Sequence, residues 1–274
     1  YINGDFILTN LNNYFLKSQF TSSWDINVLN QYFENSPFIG LNGNLTSKTN
    51  YEGNIAFNKN FKLMFLNASH QSNINIEDVN FKYSNSPLRF SFKNAEFIIE
   101  KHKIKINSCL STISETDINF KGEIQNFIPY LLKSAPKIYI NGDIISTYTN
   151  LNELISQSET NNNNILPDWI DANTTININN LSYKNFIASN LRGVLSYKNQ
   201  ELNAKNLTAK TLNGDVISTF SFNEIDGQLK LKSNVLLKKI NIRNSFEAFN
   251  DFNQTFLKRE HLKGEGSAEL YIES

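Results

Sequence analysis

The sequence has very little of what reactive sites are usually built from. A single cysteine, Cys109, excludes an intrachain disulfide, and its place in the apolar-leaning run KINSCLST reads as a buried structural thiol. The three histidines, His70, His102 and His261, are isolated, with no second ligand two or four residues away, so they read as surface histidines rather than a metal site. Net charge is zero, 26 basic against 26 acidic residues, which removes the long-range field that nucleic-acid binding relies on. No apolar run approaches the length of a membrane-spanning helix, and no signal peptide opens the chain. Walker, dinucleotide-binding and nucleophile-elbow patterns are absent. The G-E-G of HLKGEGSAEL sits inside an alternating stretch, where glycine marks a kink or bulge. The acidic pairs Glu77-Asp78 and Glu115/Asp117 read as solvated turn residues, and an enzyme would need a polar cluster that the sequence does not offer. No cofactor is expected.

What is present is alternation. Asparagine fills roughly one position in six and suits exposed strand and turn sites, so sequons such as Asn44-Leu45-Thr46 and Asn67-Ala68-Ser69 are expected by chance. Around it, Ile, Leu, Phe, Val and Tyr recur at every second residue, and roughly half the 274 residues or more read as strand. Leu88, Phe90 and Phe92 alternate with Arg89 and Ser91, and Phe97 and Ile99 answer Ile104 and Ile106 across the turn Glu100–Lys103. Parity shifts between Ile76 and Val79, which predicts a bulge at Glu77-Asp78. Asn58-Lys59-Asn60 reads as a hairpin turn and Ser158–Asn164 as a polar loop. Leu229, Leu231, Val235, Leu237, Ile240 and Ile242 read as two strands.

The period changes to helical spacing at three places about a hundred residues apart. They follow Asn27 (Val28, Leu29, Tyr32, Phe33), Asn126 (Phe127, Ile128, Tyr130, Leu131, Leu132) and Asn244 (Phe246, Phe249, Phe252, Phe256). A further short helix, LNELIS, is predicted after Asn150. Each switch lies between strands, and YINGD occurs at both Tyr1–Asp5 and Tyr139–Asp143. Together these indicate a repeat, with cycles near 1-37, 38-136 and 137-257 and a new one beginning at 258-274. The expectation is one continuous β segment of a longer protein.

One strand face is apolar nearly throughout and the predicted helices are too few to cover it. At about 25 cal/mol per Å² that face cannot remain in water. It closes into a sandwich or barrel, receives another sheet, or wraps an apolar ligand. A membrane-spanning barrel fits poorly, because the strands lack aromatic girdles and carry helical inserts.

The stretch DVNFKYSNSPLRFSFKNAEFIIEKHKIKINSCLSTISETDINFKGEIQNFIPYLL, followed by KIYINGDIISTYTNLNELIS, resembles the C-terminal region of AsmA-like proteins of the Bacteroidetes type. The run NLSYKNFIASNLRGVLSYKNQELNAKNLTAKTLNGDVISTFSF is similar, and the likeness covers most of the chain as a pattern of strands, glycine steps and short helices. The resemblance implies a mainly β fold, an extended and strongly curved antiparallel sheet whose apolar inner face forms a groove. It implies a non-enzymatic periplasmic segment, anchored to the inner membrane elsewhere and carrying phospholipid towards the outer membrane. Its partners would be phospholipid acyl chains and envelope membrane proteins, not nucleic acid. The groove lining expected on this basis is Phe81, Tyr83, Leu88, Phe90, Phe92, Phe97, Ile99, Ile104, Ile106, Ile118 and Phe120, then Ile176, Ile178, Leu195, Tyr197, Phe220, Leu229 and Leu231. For each of them ordinary sheet core is the competing reading, and a structural or adhesive β-array with a dry interior is the rival for the whole.

Overall fold

The computed structural model describes residues 1–10, 12–31, 38–57, 63–84, 86–131, 135–155, 166–225 and 228–274. Fourteen strands are hydrogen-bonded neighbours in sequence order: β1 Ile2–Thr9, β2 Phe15–Asp25, β3 Phe38–Phe57, β4 Leu63–Tyr83, β5 Arg89–Glu100, β6 Lys103–Ile113 and β7 Thr116–Gln125, then β8 Ile138–Asn150, β9 Ile170–Tyr183, β10 Phe186–Lys198, β11 Glu201–Thr211, β12 Gly214–Ile225, β13 Gln228–Asn241 and β14 Glu265–Glu273. The order ends at β1 and β14, so the sheet is not closed into a barrel. Among the described residues three short α-helices interrupt it, α1 Phe127–Leu131, α2 Leu151–Ile155 and α3 Ile242–Ala248, together with a 3₁₀ helix at Ile26–Gln31. The mainly β class and the places of these short helices agree with the alternation and its changes of period. The chain forms two compact units, residues 1–112 with 121–135, and residues 113–120 with 136–274.

In the first unit β1 to β5 pair antiparallel, each strand with the next. The bulge expected at Glu77-Asp78 is present: both residues are exposed, Asp78 has φ 50°, and Val79 behind it is buried. Opposite it Gly43 adopts φ 125°, a conformation that residues with a β-carbon rarely take. Ile26, Leu41 and Val79 bury together there, with Phe38, Ile76, Phe81 and Phe92 packed against them.

In the second unit β9 to β14 are antiparallel neighbours, but β8 and β9 run parallel, with Ile138 beside Ile170 and Ser146 beside Ile178. This corrects the purely antiparallel expectation. Parallel neighbours need a crossover between them, and α2, directly after β8, is its first element. The stretch from Leu229 to Ile240 is one strand, β13, rather than two, and Ile242 begins α3. The parity break inside it is a bulge at Lys239, with φ 53° and a register shift between Leu237 and Ile240.

Asn241 caps α3, its Oδ1 accepting from Asn244 N at 3.0 Å. Asp25 caps the first helical turn, its carboxylate 2.9 Å from Asn27 N. Asn150 caps α2 as expected, at 3.1 Å from Asn152 N. Tyr32, Phe33, Leu132, the turn Asn58-Lys59-Asn60 and the loop Ser158–Asn164 lie outside the described residues.

The abundance of asparagine acquires a structural reason. Of the seventeen non-glycine residues with positive φ among those described, eight are asparagines: Asn10, Asn126, Asn190, Asn199, Asn206, Asn213, Asn250 and Asn253. Asparagine tolerates the left-handed region better than residues with larger side chains. Asn190 and Asn206 lie at register shifts of β10 and β11, so the residue type sits where strands bulge as well as where they turn.

Candidate functional site

Residues directly opposite one another across a ladder share a face, so the registers define what each sheet face carries. In the second unit one row runs Ile140, Ala172, Tyr197, Leu202, Phe222 and Leu231. The next runs Gly142, Thr174, Leu195, Ala204, Phe220, Ser233 and Ile272. A third contains Ile144, Ile176 and Gly193, and a β-carbon on Gly193 would meet Leu207 Cδ2 at 2.6 Å, so Leu207 lies over that glycine. In the second row large and small residues alternate from Leu195 on, and Phe220 stands between Ala204 and Ser233. The opposite face carries Asn173, Arg192, Lys205, Lys230, Lys232, Asn234 and Glu269.

The first unit is divided the same way. Ser22, Ser47, Ile74 and Phe97 form one row; Phe20, Thr49, Ser72 and Ile99 form another; Trp24, Leu45, Ile76 and Ala95 form a third. Beyond the bulge Phe81 stacks on Phe90 at 5.2 Å and on Phe92 at 6.2 Å, while Phe38 meets Phe81 edge-on at 5.2 Å and Tyr83 at 6.3 Å.

Every residue expected to line a groove is therefore placed. Phe81, Tyr83, Phe90, Phe92, Phe97 and Ile99 share the apolar face of the first unit, with Leu88 just before β5 and Ile104 and Ile106 buried on β6. Ile176, Ile178, Leu195, Tyr197, Phe220, Leu229 and Leu231 share that of the second, and Ile118 and Phe120 are half-buried on β7. Tyr197 sits at the strand end, where its hydroxyl donates to the Pro167 carbonyl and burial pushes its pKa up.

Sequence reasoning passed over the hydroxyls and small residues on the same faces. Ser18, Ser22, Ser72, Thr174 and Ser233 are buried there beside Ala95, Ala188 and Ala204. Of these hydroxyls, Ser22 bonds Ser47 at 2.8 Å and Ser72 bonds Thr49 at 3.0 Å, while Ser233 donates to the Thr219 carbonyl at 3.2 Å. Their parity with the apolar residues was the available signal. His70 belongs to this group. It stands opposite Tyr51 on the apolar face, half-buried, and burial, with the charge of His102 as a smaller cause, pushes its pKa down. This corrects its reading as a surface residue. Among the described residues no group of histidine, cysteine and carboxylate side chains is placed to hold a metal.

The faces are incompletely covered. Among the described residues the largest side chains less than 2 % exposed are Thr116 and Ser146, whereas Phe220, Phe222, Leu195 and Leu231 stay partly exposed.

A polar cluster lies at the end of β8. Asp117 accepts the backbone N–H groups of Thr147 at 2.9 Å and Tyr148 at 2.6 Å, and Thr116 Oγ1 accepts that of Asn150 at 3.0 Å. Burial works to raise the Asp117 pKa, but the donated N–H groups outweigh it and hold the carboxyl below the usual range. Each acceptor is used by strand backbone, so the cluster is a structural clasp; the reading of Asp117 as a solvated turn residue is corrected.

Comparison with protein-family models, with curated proteins and with solved structures finds no match for this chain.

Proposed function

We propose that the apolar sheet faces hold phospholipid acyl chains, and that the chain is a non-enzymatic lipid-conducting segment. The observation that carries this reading is the combination on one face of large, partly exposed apolar side chains with hydroxyls already satisfied by one another. Such a surface offers contact area and few directed hydrogen bonds, which suits a chain of methylenes, each contributing about 0.8 kcal/mol when buried. Resemblance to the AsmA-like family supports a curved groove, a periplasmic setting and a membrane anchor outside this segment, with transport between inner and outer membrane as the activity. Envelope membrane proteins would be its partners.

Native mass spectrometry and lipid extraction of the purified protein test the reading. Co-purifying phospholipid, exchangeable for a fluorescent fatty acid, is expected. A lipid-free monomer that takes up no fatty acid would sink it.

A further inference from the structure

The segment after β13 has no role in the apolar face as described, yet it carries an exposed concentration of aromatic rings. Phe249 stacks on Phe252 at 5.5 Å, Phe246 meets Phe252 edge-on at 5.0 Å, and Phe186 at the start of β10 lies 5.7 Å from Phe249. Phe249, Phe252 and Phe256 are 46 %, 54 % and 83 % exposed. The helical spacing of these rings predicted one continuous helix. The helix instead stops at Ala248, because Asn250, Asp251, Phe252 and Asn253 all adopt φ of 51–54°. A phenylalanine in that region is costly and persists only where its surroundings hold it.

They do hold it. Asp251 accepts from Arg259 N at 2.9 Å, Nε at 3.3 Å and Nη2 at 3.2 Å. Gln254 spans the tip, accepting from Leu257 N at 2.8 Å and donating to the Leu257 carbonyl, while His261 Nδ1 accepts from Lys258 N at 3.2 Å. This is a clasped loop that keeps three rings in solvent, which sets it apart from slack chain.

Two relationships identify its occupant. Phe186 stands on the same face as buried Ala188, so the rings continue the apolar face of this unit past its strand ends. On the other side of α3, Asn244 and Glu247 border an open recess of about 990 Å³ lined by Lys184, Lys210, Asp215 and Arg259. Rings on one side of a short helix, with charges of both signs on the other, match the boundary between acyl chains and headgroups.

We propose that the loop 249–261 is a membrane-contact element that sets its phenylalanines at the acyl boundary of a phospholipid bilayer, with the recess at headgroup level. Such a loop would give the apolar face an entry point, which rests on the lipid reading above, but bilayer contact is measured independently of acyl loading.

The test is flotation of the full chain with vesicles of phosphatidylcholine and phosphatidylglycerol, compared with the double variant Phe252→Ser/Phe256→Ser. Extracted lipid is measured on the same samples, and circular dichroism checks that both fold alike. The native chain is expected to float, and the variant to lose roughly tenfold or more in partitioning, given the apolar area of two rings, with extracted lipid unchanged. Flotation with no extractable lipid would sink the acyl-chain reading alone and leave this one standing. Equal flotation of both proteins, flotation of neither, or loss of a self-associated species in the variant in place of flotation would each overturn the proposal.

Discussion

A β-carbon placed on Gly43 would fall 2.6 Å from the Cα of Val79, inside a backbone that has no room to give. Gly43 stands at the register break where Asp78 bulges out of β4, and its φ of 125° adds a second penalty for any side chain. Gly43→Ala is therefore expected to destabilise the first unit by about 2–4 kcal/mol, combining overpacking and strain. Urea melts followed by the fluorescence of Trp24, in the same unit, check this. A variant within about 0.5 kcal/mol of the parent would mean that the bulge relaxes freely.

Asp117 gives a pH prediction. Burial alone would raise its pKa, yet the Thr147 and Tyr148 N–H groups hold the carboxyl below its ordinary range, so the folded state binds its proton less readily than the unfolded chain. The stabilisation is fully present above an unfolded value of about 3.9 and is lost as pH falls through the depressed folded value. Asp117→Ala leaves two strand N–H groups without their acceptor and is expected to cost about 2 kcal/mol at neutral pH. Asp117→Asn should flatten the acid limb of a plot of unfolding midpoint against pH. An unchanged acid limb would assign the acid sensitivity to other carboxylates.

Cys109 is 7 % exposed and burial pushes its thiol pKa up, opposed more weakly by a hydrogen bond with Ser111. Both burial and the scarcity of thiolate slow its chemistry. Ellman's reagent at pH 8 is expected to leave native protein unlabelled over the time in which the urea-unfolded chain reacts completely. Prompt labelling of folded protein would show that β6 opens locally.

Alternation made the strands and their apolar face readable, and the change of period made the short helices readable, because both follow from side-chain direction along one segment. What stayed hidden depends on a partner. At Leu237–Ile240 two polar residues interrupt the alternation, and from the sequence a bulge and a break between strands look alike. Only the ladder decides, and β14 pairs with β13 on both sides of Lys239. Strand direction is equally silent in the period, so the parallel pairing of β8 with β9 had no signal. Asn241 and Asn244 are both credible caps by residue type, and geometry alone selects the first. Ser22, Ser72 and Ser233 share the parity of the apolar residues but look polar until their hydroxyl partners are seen.

Phe220 separates the open face from a dry core most directly. It lies between Ala204 and Ser233 and stays partly exposed. In a closed core, an aspartate at this position would be an unpaired buried charge costing several kcal/mol, and the protein would not fold. On a face open to solvent when unloaded, the carboxylate keeps water, and the cost falls to the lost packing of one partly buried ring, about 1–2 kcal/mol. Phe220→Asp is therefore expected to fold, with a midpoint measurably below the parent, and to lose most of its co-purifying lipid, because a charge now lies along the path of an acyl chain. Thermal melts and lipid extraction on the same sample read both quantities. A variant that fails to fold argues for the closed core, and one that folds with its full lipid complement moves the acyl chains off this face.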